Sequence, residues 1–159
     1  MTMEGTAPKP RAVVLRGIPG AGKSAVATGL AQMAGIPRSQ CVFSTDQLFD
    51  ECNAGVFEPQ LLGRLHQLNL TRFIDAAARG TPLLVCDNTN IEPWQYSAYV
   101  AAARALGYAV EIRLVGRPWD PAEVEQCAMR NVHGVPADMV RTMATRLAAT
   151  LQEEEHDGP

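Results

Sequence analysis

The chain has 159 residues, 47% hydrophobic and 19% charged, with a net charge of −3. That length suits one α/β domain with a proper core and is too short for two, and the acidic balance argues against a broad, sequence-blind nucleic-acid coat. No stretch reaches the apolar length of a membrane span or a secretory signal core, and Cys41, Cys52, Cys86 and Cys127 form no C-x-x-C pair, so a reduced cytoplasmic protein with no membrane partner is expected.

Residues 1–10 hold two prolines and a glycine and read as a disordered leader. The apolar run at 11–16 predicts a buried strand. It delivers Gly-Ile-Pro-Gly-Ala-Gly-Lys-Ser at residues 17–24, a match to G-x-x-x-x-G-K-[ST], the phosphate-binding P-loop. Val26, Leu30 and Met33 then recur at helical spacing until Gly35, so the motif stands between a strand and a helix as its chemistry requires. Gly17, Gly20 and Gly22 allow the tight turn that aims backbone N–H groups, including those near Ala21 and Ala25, at a phosphate. The positive end of the helix dipole faces the same point. Lys23 is expected to reach the β- and γ-phosphates of ATP, and the Ser24 hydroxyl to ligate Mg²⁺.

Residues 40–44 predict a second buried strand, ending at Thr45 and Asp46. Residues 49–58 read as a loop punctuated by Asn53, Gly55 and Pro59. A long helix follows over 59–78, with Leu61, Leu65, Leu68 and Phe73 inward. His66, Asn69, Arg64 and Arg72 form a polar stripe on it that faces either an acceptor or solvent. Strand three covers 82–86 and ends at Asp87-Asn-Thr-Asn90. A helix over 93–106, a fourth strand over 108–115, and a helix opened by Asp120-Pro121 and closing near His133 come next. A last helix starts at Pro136, and the tail over 153–159 is acidic and expected to be solvated. Trp94 and Trp119 are expected to pack. Residues 11–152 thus make a single domain, a four- to five-stranded parallel sheet in the order 2-3-1-4 with helices on both faces.

Ligands of open parallel sheets bind beyond the carboxyl ends of the strands. Asp46 and Asp87 both stand there, next to the P-loop. Transfer of a phosphoryl group to a hydroxyl needs a proton acceptor, and Asp46 is the better candidate; its other reading is a helix N-cap. Asp87 would hold a Mg²⁺ water or orient an acceptor group, or close a turn with Asn88 and Thr89.

The P-loop, Ser44-Thr-Asp46, Val85-Cys-Asp-Asn-Thr-Asn90 and Arg130-Asn-Val-His-Gly-Val-Pro136 occur in an order that resembles the polynucleotide-kinase-like group of P-loop kinases, over about 12–150. The resemblance implies a P-loop kinase fold with a helical lid. By it, Asp46 is the general base, Asp87, Thr89 and Asn90 shape the acceptor pocket, and Arg130 is a lid arginine over the ATP phosphates. It implies ATP and Mg²⁺ as cofactors and the 5′-hydroxyl of single-stranded RNA or DNA as acceptor. One position departs from the pattern. The 5′-kinase domain of the group's phage member has an arginine three residues after the base that grips the acceptor phosphate, and here that residue is Phe49, able to stack on a base but not to hold a phosphate. That favours a rival, a kinase of a sugar, nucleoside or antibiotic hydroxyl. A nucleotide-binding switch with little chemistry is the reading from a different class, and the joint presence of Asp46, Asp87 and Arg130 speaks against it.

Overall fold

The computed structural model describes residue 5 and residues 7–157, so residues 1–4 and 6 of the leader expected over 1–10 lie outside the described residues. Four parallel strands, β1 (Arg11–Arg16), β2 (Val42–Phe43), β3 (Leu83–Asp87) and β4 (Ala109–Leu114), form one sheet in the order β2-β3-β1-β4. Side chains alternate across β1 with the period of the pleat. Ala12 and Val14 join Leu84 and Cys86 beneath α4 (Pro59–Ala78) and α5 (Pro93–Ala105), whereas Val13 and Leu15 join Val85 beneath α1 (Lys23–Ala34). Both faces are therefore covered, which is why β1 and β3 are continuous in apolar residues. The Phe73 ring meets Phe43 and Tyr99 edge-on, at 5.6 and 5.0 Å.

The structure departs from the sequence-based expectation in several places. A short helix, α2 (Arg38–Cys41), takes the start of the expected second strand, leaving β2 two residues. The first half of the loop expected over 49–58 is helical: α3 (Thr45–Asn53) begins where the Ser44 hydroxyl accepts the Gln47 N–H, at 3.3 Å, and stops at Ala54, held at φ 52°. β4 stands at the sheet's edge, as the order 2-3-1-4 requires, and is partly exposed. Glu111 and Arg113, bonded at 2.8 Å, put charge on that edge, which discourages pairing with another sheet. Helix α6 (Pro121–Arg130) ends three residues before His133. Trp94 and Trp119 are 74% and 59% exposed instead of packed.

Residues 153–157 of the acidic tail are exposed, and α7 (Ala137–His156) extends into them. Glu154 accepts from Arg16 Nη1 at 3.1 and 3.0 Å. Arg16 is buried, donates from Nε to the Asn90 carbonyl and from Nη2 to the Ile91 carbonyl, both at 2.8 Å, and lies over the Tyr96 ring at 5.0 Å. One guanidinium thus joins the end of β1, the segment after β3 and the last turns of α7. Removing the guanidinium strands the buried carbonyl acceptors of Asn90 and Ile91, while Glu154, its side chain 39% exposed, can turn to water. Arg16→Met is therefore expected to lower stability by about 2 kcal/mol, read as the shift of the urea midpoint; a change within error would mean that α7 docks without it.

Candidate active site

The strand end of β1 and the N-terminus of α1 make the centre of the site. Gly20 and Gly22 take φ of 82° and 101°, conformations that side chains oppose. A Cβ at Gly20 would also lie 2.1 Å from the Cys127 carbonyl oxygen, so α6 leans directly on the loop. Helix α1 has no side-chain cap and no acidic residue in its first turn. Its first N–H groups are left to an anion, in the polarity an anion prefers. Lys23 folds back, with Nζ donating to the Ile18 carbonyl at 3.1 Å. Burial pulls the Lys23 ammonium below the usual lysine range, and the carboxylates of Asp87 and Asp46 act against that pull.

The two carboxylates differ in environment. Asp87, at the end of β3, is buried at 7%, and burial pushes its pKa up against the pull of Lys23 and Arg38. Asp46 sits in the first turn of α3 with its side chain 58% exposed. The N-cap alternative for Asp46 falls away, since Ser44 caps that helix. Between them, the segment after β3 works as a clamp. Asn88 Oδ1 accepts from the Thr45 N–H at 3.0 Å, the Thr89 carbonyl from the Gly17 N–H at 2.9 Å, and Asn90 Nδ2 donates to the Leu15 carbonyl at 2.8 Å. Three successive residues therefore fix the ends of β2 and β1 against β3. Asn90, expected in the acceptor pocket, is instead 2% exposed and held at φ 48° as part of this frame.

The helices that the resemblance implies as a lid correspond to α6 and α7 with the turn joining them. Asn131 builds the turn: its Nδ2 donates to the carbonyls of Ala128 and Val135, and its Oδ1 accepts from the Val135 N–H, all at 3.0 Å. This carries His133 out over the sheet, with Nε2 3.7 Å from Asp46 Oδ2. Arg130, exposed on the last turn of α6, donates to Cys127 Sγ at 3.6 Å, one turn from the carbonyl that touches Gly20. The candidate site thus brings together Lys23 and Ser24 in the first turn of α1, Asp46 in the first turn of α3 and Asp87 at the end of β3, with His133 beside Asp46 and Arg130 at the end of α6.

Other expected residues fall elsewhere. Phe49 is 5% exposed and packs with Leu48 and Leu65, its ring 5.2 Å from that of Phe57, so it offers no open face for a base. Asn69 is buried and donates to the Tyr99 hydroxyl at 2.9 Å, and Arg72 pairs with Glu51 at 3.0 Å, so the stripe on α4 divides between core and surface. His66 alone of that stripe reaches the site's edge, its Nδ1 hydrogen-bonded to the Thr45 hydroxyl at 3.0 Å; burial lowers its pKa, favouring the neutral imidazole.

One residue was invisible to the sequence reading. Arg38 Nη2 donates to Ser24 Oγ at 3.2 Å and lies 3.7 Å from Asp87 Oδ2. A cation is thus already accommodated between a hydroxyl and a carboxylate, hard oxygen donors of the kind Mg²⁺ takes. Among the described residues no cluster of three or more His, Cys, Asp and Glu side chains forms a metal cage. All four cysteines are free, and no helix among the described residues is long and apolar enough to cross a membrane.

Comparison with known proteins bears on the family and the fold. A family model described as an AAA domain matches residues 13–153. Human NEDD4-binding protein 2 is 32% identical over 131 residues, covering 82% of this chain; the chain spans only 7% of that protein's length. Among solved structures, a chain of the Pnkp1/Rnl/Hen1 RNA repair complex superposes with a TM-score of 0.70 at 16% identity, over 96% of this chain and 49% of that one. A gluconokinase from Sinorhizobium meliloti 1021 gives 0.55 at 18% identity, over 88% of this chain and 76% of that one. At such identities these likenesses bear on the fold, which is that of the P-loop kinases.

Proposed function

The chain belongs to the AAA domain family, and on that premise we propose that it is a Mg²⁺-dependent ATP phosphotransferase that moves the γ-phosphate to a hydroxyl, with the 5′-hydroxyl of RNA or DNA as the first acceptor to test. The observation that carries this reading is the contrast between its two carboxylates. Asp46 is open to an incoming acceptor, while Asp87 is buried beside Ser24 and Arg38. A pure nucleotide binder has no use for an open carboxylate next to a phosphate-loop lysine, whereas a transferase needs one.

In the proposed reaction the acceptor hydroxyl loses its proton to Asp46 and its oxygen bonds to the γ-phosphorus. The bond from that phosphorus to the β–γ bridging oxygen breaks, and ADP leaves. Lys23 and the free N–H groups of α1 offset the charge that builds on the phosphates, and Arg130 swings over them from the lid. When bound, Mg²⁺ would neutralise phosphate charge, held by Ser24 and, through water, by Asp87. His133, next to Asp46 Oδ2, helps to orient the base.

A nucleic-acid acceptor is supported by the four-segment motif and by the likeness to a chain of an RNA repair complex. A small hydroxyl substrate is favoured by a different observation: Phe49 is buried in the α3–α4 cluster, so nothing at that position grips an acceptor phosphate. Transfer of labelled γ-phosphate to 5′-hydroxyl oligonucleotides, nucleosides and sugars separates the two. With oligonucleotides, the apparent affinity is expected to fall with a log–log salt slope near one per phosphate contacted. Label confined to small acceptors, with a flat salt response, would overturn the nucleic-acid assignment. No label on any acceptor despite nucleotide binding would overturn the kinase reading itself.

A further inference from the structure

Arg38 stands at the start of α2, just after Gly35 ends α1 at φ 67° and turns the chain back. Its side chain runs alongside α1 and is fixed at several points. Nη1 donates to Thr28 Oγ1 at 2.9 Å and to the Ser24 carbonyl at 3.2 Å; Nη2 donates to Ser24 Oγ at 3.2 Å and approaches Asp87 Oδ2 to 3.7 Å. The hydroxyl oxygen that a P-loop offers to a metal is thus already accepting a hydrogen bond from a guanidinium, and the buried carboxylate behind it already has a cationic partner. A divalent cation and a guanidinium held by the same two side chains repel strongly, so they exclude one another.

We propose that Arg38 is a built-in counter-ion at the metal position: it holds Ser24 and Asp87 before nucleotide binds, and it must leave them for Mg²⁺ to enter, so it sets the Mg²⁺ concentration the site requires. The inference rests on the reading of Ser24 and Asp87 as the metal side of a nucleotide site. An arginine suits the task because its charge persists at any physiological pH and its fork spans donors on two elements. Together with Lys23, Arg38 offsets the buried charge of Asp87, and the arrangement makes Mg²⁺ and nucleotide enter together, since the phosphates add the ligands that outcompete the arginine.

The test is the Mg²⁺ dependence of binding of a fluorescent ATP analogue, N-methylanthraniloyl-ATP, read by fluorescence with no acceptor present. In Arg38→Gln the half-saturating Mg²⁺ concentration is expected to fall by at least about fivefold, the lower end of common coupling between two binding events. Thr28→Val removes one anchor of the guanidinium without touching Ser24 or Asp87, and is expected to shift it in the same direction, by about twofold. It keeps the test alive if Arg38→Gln folds poorly. An unchanged Mg²⁺ requirement in both variants, with wild-type binding intact, would reduce Arg38 to a brace between α1 and α2 and overturn the proposal alone. A weaker grip on the analogue at every Mg²⁺ concentration would instead make Arg38 a phosphate contact, which also overturns it. Failure of the wild-type chain to bind the analogue at any Mg²⁺ concentration would overturn both this inference and the nucleotide site beneath it.

Discussion

Lys23→Met is expected to lower γ-phosphate transfer by about 10³-fold, in line with the loss of one preorganised donor aimed at developing negative charge. Nucleotide binding should weaken as well, because the same ammonium neutralises phosphate charge in the ground state. Methionine keeps the apolar stem that lies along the loop and removes only the head group. The ammonium now donates to the Ile18 carbonyl and is partly desolvated, so its removal costs one hydrogen bond while relieving a burial penalty. Stability should therefore change by less than about 1 kcal/mol. Single-turnover transfer, nucleotide titration and urea unfolding on one preparation separate these effects. Transfer surviving in a folded variant would mean that the loop lysine does not serve the phosphates.

Asp46→Asn is expected to lower transfer by about 10²- to 10⁴-fold, the usual worth of a positioned general base, while leaving nucleotide affinity within about twofold, since a group that acts only in the transition state leaves ground-state binding alone. The geometry underlies this split. Asp46 is exposed and has the lid histidine 3.7 Å away, while the buried carboxylate, Asp87, is the one paired with a cation beside Ser24. The amide is nearly isosteric and sits in the first turn of a helix whose cap is Ser44, so the fold should tolerate it. A parallel loss of nucleotide affinity would move Asp46 to the metal, and unchanged transfer would remove it from the reaction.

Several parts of this architecture are written in short stretches of the chain. The glycine spacing at 17–22, the apolar run of β1 and the helix that starts at Lys23 identify the phosphate loop without reference to any distant residue. Asp120-Pro121 announces the start of α6, where Asp120 Oδ1 accepts the Ala122 N–H at 3.0 Å. Right-handed crossovers together with a central first strand carrying the P-loop suggest the order 2-3-1-4, and the structure has that order. Asn53, Gly55 and Pro59 read as loop punctuation over 49–58, whereas the helix capped by Ser44 continues to Asn53 and buries Phe49.

The sequence by itself determined a phosphate-binding loop on a parallel sheet, with two carboxylates at neighbouring strand ends, because glycine geometry, caps and periodicity act between residues a few positions apart. Only the tertiary structure decided which carboxylate is open and which is buried, that Asn90 belongs to the frame, that Arg16 meets Glu154 across 138 positions, and that Arg38 bridges Ser24 and Asp87. Burial and long-range pairing are set by how whole elements pack, and one arginine in a list of twelve carries no local mark of the partners that packing will give it.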